Sequence, residues 1–360
     1  MERQDLLDHF TDAMRGGVHE TLLNGWLKGG RGVKSRLLEA HVPERSSEGT
    51  QFLLSQLAES ADLSVRRLSD DLWALTGEDH AFFVDSYNPR FWLLHSTASA
   101  DALRRLLRKH VLPNPRVDQA WFAGKHLRDM EGQHLWVRSS FSSDFLQPQE
   151  SGANAPRRWR VQIEGENPDE LFDLVAQKPR YHAGAALTAV ASRLYDENLG
   201  AATVAADYQG GFAATGSSFH LVAGLLWRAL DRYEQYVNGL EAVYRTGVTG
   251  TEETGLTVEG ELAFIEFQRP VDDLDALVTN LFSCREPFRL WAVPKEVAPG
   301  QWEANAVDLH VGHNLRLELT AHWLRVLLTP ETCGNTLARL IANLQHRFDA
   351  RTAIPAATAA

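Results

Sequence analysis

Cysteine is scarce in this chain, which has only Cys284 and Cys333 among its 360 residues. The two lie far apart and belong to no Cys-x-x-Cys or Cys/His spacing, which excludes zinc ribbons, zinc fingers and a disulfide framework. Free thiols fit a reducing compartment, where cysteine packs as a small apolar residue. We therefore expect a cytoplasmic protein in which Cys333 packs in the first turn of a helix.

Long apolar runs are also missing. No stretch approaches the roughly 18–20 residues that a membrane helix needs. The N-terminal sequence MERQDLLDHF is charged and amphipathic, unlike a secretory signal. The net charge of -11 disfavours a general attraction to nucleic acid or anionic lipid, although it leaves room for a local basic patch. The chain is thus expected to have no membrane partner.

Catalytic and cofactor motifs are absent as well. The sequence has no nucleophile elbow, HExxH motif or kinase signature. The segment KGGRGVKSR, residues 28–36, is glycine-rich and basic but lacks P-loop spacing, so it predicts a solvated connection between helices, with phosphate binding as the alternative. Carboxylates around Glu266 lack the lysine expected of a metal-dependent nuclease strand. These absences favour a protein that is not an enzyme and needs no cofactor or metal, and no motif assigns the chain to a known family.

Hydrophobic periodicity supplies the positive signals in the first half. An apolar stripe from Leu6 to Trp26 predicts a helix, with a break at Gly16 and Gly17. Further on, the pattern predicts a helix, an antiparallel meander of four strands and a helix capped by Ser99. These elements are expected at residues 50–61, at 63–67, 72–76, 81–85 and 90–95, and at 99–110. Residues 139–158 are rich in Ser, Pro, Gly and Asn, which is typical of a linker.

The second half predicts a strand from Trp159, a helix begun by Asn167 and Pro168, and strands at 185–194 and 201–208. The longest helix is expected at 219–244, followed by the order β-α-β-β-β-α within 260–349. The expected class is α+β, with antiparallel sheets in two halves covered by long helices and an N-terminal helical segment. The expected division is an N-terminal helical segment (1–48), two α+β domains (49–150 and 157–350) and a disordered tail (351–360).

A polar constellation marks the hairpin predicted around Gly312. A three-residue turn would place His310 opposite Arg316 and Asp308 opposite Glu318 on one face. Asp308, His310 and Glu318 would then suffice for acid/base chemistry or a hard-metal site, with Arg316 as a binding residue. The alternatives are a solvated outer face and a ligand-binding surface. A shift of the strand pairing by one residue would separate these side chains.

Basic side chains form two further candidate surfaces for binding. Arg104, Arg105, Arg108 and Lys109 follow one face of the helix 99–110, and Arg158 and Arg160 flank the strand from Trp159. Cations near a helix C-terminus also complement the helix dipole, which explains the first group without a ligand. Nucleic-acid contact is the functional alternative.

Three functions follow from these patterns. The leading hypothesis is a non-enzymatic cytoplasmic subunit that recognises or scaffolds protein partners in an assembly. The second is a metal-assisted hydrolase, such as a nuclease, that uses Asp308, His310 and Glu318. The third is a nucleic-acid-binding protein with local basic patches.

Overall fold

A computed structural model describes residues 2–24, 32–42, 46–78, 80–130, 135–143, 159–165, 170, 186–251, 255–268 and 270–354. The expected α+β class is confirmed, because these residues form seven α-helices and two large antiparallel sheets. The helices are α1 (Arg3–Asn24), α2 (Ser47–Ala61), α3 (Ala100–Leu106, continued by a π-helical turn at Leu107–Val111), α4 (Gly124–Asp129), α5 (Phe219–Tyr244), α6 (Leu274–Leu281) and α7 (Gly334–Arg347).

Nineteen strands are described. They are β1 (Val33–Ala40), β2 (Ser64–Arg67), β3 (Leu72–Thr76), β4 (Ala81–Asp85), β5 (Phe91–Ser96), β6 (Val117–Gln119), β7 (Leu135–Ser143), β8 (Trp159–Glu164), β9 (Ala186–Asp196), β10 (Gly200–Asp207), β11 (Gly211–Gly216), β12 (Gly247–Thr251), β13 (Gly255–Glu259), β14 (Ala263–Glu266), β15 (Leu290–Ala292), β16 (Lys295–Ala298), β17 (Gln301–Asp308), β18 (Asn314–Leu319) and β19 (Trp323–Leu328). The predicted meander and the helices at 50–61 and 219–244 are confirmed, and the Ser99 hydroxyl caps α3.

The first sheet has its centre at β1, in the order β2-β3-β4-β5-β1-β11-β10-β9-β7-β8, with β6 also paired to β1. The prediction that residues 28–36 are a solvated connection is wrong from Val33 onward. Likewise, the segment 1–48 is not purely helical. The strand was not recognised from the sequence because it contains the charged residues Arg36 and Glu39. Arg36 pairs with Asp207 and Glu39 with Arg90, and these ion pairs allow both charges to lie within the fold.

This sheet also crosses the expected domain boundary. Strands β9, β10 and β11 come from the expected second domain, but β11 pairs directly with β1. The division into folding units remains a prediction, and a single continuous sheet joins the two halves of the chain.

Helices cover both faces of the first sheet. On one face α1 and α5 bury Phe10, Phe219 and Leu226 against strand residues such as Leu37. On the other face α2 and α3 bury Leu53 and Leu103 among a second group of strand side chains. Helix α1 is continuous through Gly16 and Gly17, so the predicted break is not found.

The second sheet has the order β14-β19-β18-β17-β15, with β16 also paired to β17. Helices α6 and α7 bury Leu277, Leu340 and Leu344 on it, and the last turns of α5 add Leu240 and Tyr244. Because α5 also packs on the first sheet, one helix contributes to both cores.

Several expectations lie outside the described residues. These are most of the linker at 139–158, the helix begun by Asn167 and Pro168, and most of the disordered tail. Among the described helices, none is long and apolar enough to cross a membrane.

Candidate functional site

The predicted hairpin constellation does not assemble as one site. Strand β17 pairs with β18 so that Glu303 lies opposite Glu318 and Asn305 opposite Arg316. Asp308 ends β17, and His310 lies in the turn beyond it. The predicted register was therefore wrong, since the turn contains five residues, 309–313, rather than three.

Glu318 and Arg316 lie on the solvent-facing side of the second sheet. The Arg316 guanidinium is 3.0 Å from Glu303 and 3.2 Å from Glu318. Arg325 is 3.8 Å from Glu318 on the same side. These partly exposed ion pairs match the alternative of a solvated outer face.

Asp308 instead belongs to a buried ion cluster. Its carboxylate accepts hydrogen bonds from Arg339 and Thr336 of α7, and Arg339 also binds Asp118 of β6. The Arg339 Nε atom donates to the Phe288 carbonyl at 2.9 Å. Burial alone would raise the pKa of Asp118, but Arg339 and Arg289 hold it below its usual value. Because Asp118 belongs to the first sheet and Asp308 to the second, their shared contacts with Arg339 join the two sheets.

His310 belongs to a different buried group, centred on Glu39 at the end of β1. The His310 Nε2 atom is 3.1 Å from one carboxylate oxygen of Glu39. The Sγ atom of Cys333, which caps α7, lies 3.0 and 3.1 Å from the two Glu39 oxygens. His41, on the same chain segment as Glu39, places Nε2 3.4 Å from the carboxylate. The group joins three segments that are up to 294 residues apart in sequence.

Arg90 completes this group on the side of α5. Its Nε atom donates to Glu39 at 2.6 Å, and Nη2 lies 2.5 Å from Glu241 and 3.4 Å from the Cys333 sulfur. Burial favours a neutral Glu39, but Arg90 and His310 outweigh it and hold the pKa of Glu39 well below its usual value. Burial, reinforced by Glu39, raises the pKa of the Cys333 thiol well above its usual value.

Two imidazole nitrogens in this group lack hydrogen-bond partners among the described residues. They are Nε2 of His41 and Nδ1 of His310, and both atoms are buried. The side chain of His41 is 28% exposed, whereas those of Glu39 and His310 are fully buried. The group thus reaches solvent past His41. Ligand atoms of Glu39, His41, His310 and Cys333 all lie within 4.8 Å of one another, so these are the residues that could hold a metal ion.

A second candidate site is a cleft of about 610 Å³ between α3, β1 and the C-terminal part of the chain. We call it the arginine cleft, because five arginines line it. They are Arg36, Arg104, Arg108, Arg289 and Arg347. A smaller hollow of about 270 Å³ shares Arg36 and Arg104 with it and adds Lys34. The positive charge of the cleft contrasts with the net charge of -11 of the whole chain.

The cleft arginines differ in how far carboxylates neutralise them. Arg36 is 3.2 Å from Asp207, and Arg289 is 3.3 Å from Asp118. Arg104 is 2.6 Å from Asp101. No carboxylate in the described part of the chain forms an ion pair with Arg108 or Arg347. These two arginines are therefore available to a ligand.

Glu286 is the one carboxylate among the residues that line the arginine cleft. Burial, assisted by Asp118, raises its pKa above the usual value despite the nearby arginines. Its carboxylate lies 3.8 Å from Arg289, so it pairs with one of the five cleft arginines.

The structure separates the basic residues predicted from sequence. Arg104 and Arg108 line the arginine cleft, whereas Arg105 and Lys109, on the adjacent helix face, are exposed outside it. Arg160 lies on β8, five strands from β1, which is about 24 Å at the usual strand spacing. Arg158 lies outside the described residues.

Sequence reasoning missed Glu39, His41 and Cys333 as one group, and Arg36, Arg289 and Arg347 as parts of one cleft. No local spacing connects these residues. The charged residues Arg36 and Glu39 on either side of the apolar pair Leu37 and Leu38 were the signal that could have indicated buried partners.

Comparison with known proteins places the chain in a family. A family model described as MJECL33-like protein matches residues 1–359. The chain is also 23% identical over 361 residues to the protein named "Uncharacterized protein MJECL33" of Methanocaldococcus jannaschii, covering 89% of this chain and 85% of that protein. Because the family model spans nearly the whole sequence, the protein belongs to the MJECL33-like family.

Proposed function

We propose that this protein recognises a phosphate-bearing polyanion in the arginine cleft, with nucleic acid as the ligand class. The observation that carries the proposal is the convergence of five arginines on one cleft. Guanidinium groups bind phosphate oxygens in bidentate geometry and keep their charge at all physiological pH values. Recognition without catalysis agrees with the role expected from the sequence.

The secondary-structure elements that carry the cleft arginines also support binding. Arg36 comes from the central strand of the first sheet, Arg104 from α3, and Arg347 from the last turn of α7. Residues on rigid elements hold a binding geometry better than residues on isolated loops. A volume of about 610 Å³ lies within the usual range of ligand sites, about 300–1,000 Å³.

The composition of the lining indicates which part of a nucleic acid is recognised. No Phe, Tyr or Trp is among the residues that line the arginine cleft. Stacking of bases on aromatic side chains, the usual basis of single-strand recognition, is therefore not available in the lining. Contacts to phosphate remain, and these favour backbone recognition with little sequence preference.

Binding of a fluorescein-labelled oligonucleotide, followed by anisotropy over a range of salt concentrations, tests the proposal. Affinity should fall linearly with salt on a log–log plot. Arg108→Glu should weaken binding about tenfold or more and reduce the salt slope by about 1, because it removes a phosphate contact. Lys109→Glu is the matched control, since it makes the same charge change on the same helix outside the cleft.

The outcomes separate the proposal from its alternatives. Equal losses from Arg108→Glu and Lys109→Glu would show a general charge effect and contradict a specific cleft. Competition by a free nucleoside triphosphate at concentrations that match the oligonucleotide would identify a small phosphorylated ligand instead. No binding at low salt would refute the proposal.

The other roles expected from the sequence stay predictions. A cytoplasmic location and protein partners in an assembly belong to this group. The three residues proposed for the hydrolase hypothesis do not form one site, because Glu318 lies on the exposed sheet face while Asp308 and His310 are buried.

A further inference from the structure

We infer that Glu39, His41, His310 and Cys333 form a binding site for a divalent transition-metal ion of the zinc class. The inference is independent of the arginine cleft and of any ligand bound there. It rests on the donor atoms, their separations and one unpartnered nitrogen.

The donor set has the chemistry that zinc prefers. One cysteine sulfur, two imidazole nitrogens and one carboxylate oxygen are the N, S and O ligands typical of zinc sites. Magnesium and calcium, by contrast, prefer sites built from oxygen alone. The four residues therefore point to a borderline-soft ion.

The separations between donor atoms suit four-coordinate binding. Zinc–ligand bonds of about 2.0–2.3 Å place the ligand atoms of a tetrahedron about 3.3–3.8 Å apart. Here the Cys333 sulfur is 3.0 and 3.1 Å from the Glu39 oxygens, and the two histidines place Nε2 3.1 and 3.4 Å from that carboxylate. Three of these four separations are shorter than that range, and all ligand atoms lie within 4.8 Å of one another, so the side chains would rotate apart to admit the ion.

The unpartnered His41 nitrogen is the independent observation. Its Nε2 atom is buried and has only a long contact of 3.4 Å to Glu39, which falls short of a hydrogen bond, and it makes no other hydrogen bond among the described residues. A buried polar atom without a partner costs free energy, and a metal ion would satisfy this one. Solvent reaches the group past the partly exposed His41 ring, which gives the ion a path of entry.

Arg90 and Glu241 supply the surroundings of such a centre. Arg90 can donate hydrogen bonds to both Glu39 and the Cys333 sulfur, which would orient two ligands. On binding, the Cys333 thiol loses its proton to solvent, because the thiolate is the metal ligand. The thiolate and Glu39 then neutralise the dication, while Glu241 pairs with both Arg90 and Arg245.

Four protein ligands make this a closed centre of the structural kind rather than an open catalytic one. The ion would join the end of β1 to the turn after β17 and to the start of α7. These segments belong to different sheets, so the ion would hold the two sheets together at their junction.

Titration of the full chain with Co²⁺, after removal of bound metal with a chelator, tests the site. A thiolate ligand to Co²⁺ produces an intense charge-transfer band, so the spectrum reports the cysteine directly. Wild type and Cys284→Ser should each bind one equivalent and show the band, and the zinc-loaded proteins should contain one zinc per chain by mass spectrometry. Cys333→Ser should lose the band. Cys284→Ser is the matched control because Cys284 is exposed and is not among the four grouped ligands.

His41→Ala covers the case in which Cys333→Ser does not fold. The ring lies at the solvent-facing edge of the group, so its loss should leave the circular dichroism spectrum unchanged while it weakens Co²⁺ binding more than about tenfold. The inference would be overturned by wild type that takes up no stoichiometric ion, by His41→Ala that binds as tightly as wild type, or by a band that depends on Cys284.

Discussion

Arg339 is fully buried between the carboxylates of Asp118 and Asp308. It therefore links the first sheet to the second. Its guanidinium also donates to the backbone carbonyl of Phe288. Burial alone would lower the pKa of Arg339, but Asp308 and Asp118 raise it above the usual value. Arg339 thus pairs with two buried anions from different elements, and Arg289 is a second cation beside Asp118 at 3.3 Å.

Arg339→Leu should destabilise the protein by about 3–5 kcal/mol, because two buried carboxylates lose their shared partner. Arg316→Leu is the matched control. It removes a partly exposed arginine that also bridges two carboxylates, Glu303 and Glu318, and should cost about 0–1 kcal/mol. Urea unfolding monitored by tryptophan fluorescence measures both. Equal effects would show that burial of the Arg339 cluster contributes nothing to stability.

His310 and Asp308 show how far residue chemistry could be predicted from sequence. Both were selected as polar residues near a predicted turn, and both are indeed buried and partnered. Their partners, Glu39 and Arg339, could not be found, because sheet and helix packing brings them together across 271 and 31 residues. Local periodicity contains no information on such pairs, and the predicted hairpin register was wrong.

At the scale of elements, α5 has the widest role. Its 26 residues run from Phe219 in the first core to Tyr244 in the second. The Tyr233 hydroxyl, near its middle, accepts from the Trp121 amide at 2.8 Å and donates to Asn335 of α7. The helix was predictable because its apolar residues recur every three or four positions, a pattern that needs no knowledge of the partner.

Leu226→Ala, in the middle of α5, should destabilise the protein by about 2–5 kcal/mol, because the side chain is fully buried and its removal leaves a cavity. Since α5 contributes to both cores, both sheets should unfold together at a lower urea midpoint. Gln235→Ala, at an exposed position of the same helix, should change stability by less than about 0.5 kcal/mol. Far-ultraviolet circular dichroism and tryptophan fluorescence would record the two transitions. Midpoints that separate in Leu226→Ala would contradict the coupling of the cores.

Strand β1 was not predicted from the sequence. A strand at the centre of a sheet usually shows an apolar run, but this one contains Lys34, Arg36 and Glu39. Each charge has a specific environment: Lys34 lines the smaller hollow, Arg36 faces the arginine cleft, and Glu39 binds Arg90 and His310. Arg36 and Glu39 interrupt the apolar pattern of a central strand, and they also belong to the two candidate sites. Functional residues are where a sequence is expected to depart from the pattern of its fold.

At the scale of the whole molecule, the sheet that contains β1 makes the two halves of the chain interdependent. Strand β1 lies between β5 of the first half and β11 of the second. The expected cut at residues 150–157 separates β7 from β8, which pair with each other along six residue positions. Composition predicted a linker at that point, but composition alone cannot show whether strands on either side pair.

Separate expression of residues 1–156 and 157–360 tests this interdependence. Neither fragment should unfold cooperatively, because the first would expose the edge of β1 that pairs with β11, and the second would expose the face of α5 around Val222 and Leu226. Co-expression should restore a one-to-one complex with the urea midpoint and near-ultraviolet spectrum of a native fold, since the cut removes no described strand or helix. A 157–360 fragment that is monomeric and unfolds cooperatively by itself would instead establish two independent domains. It would also require the contacts of β1 with β11 to form after folding rather than during it.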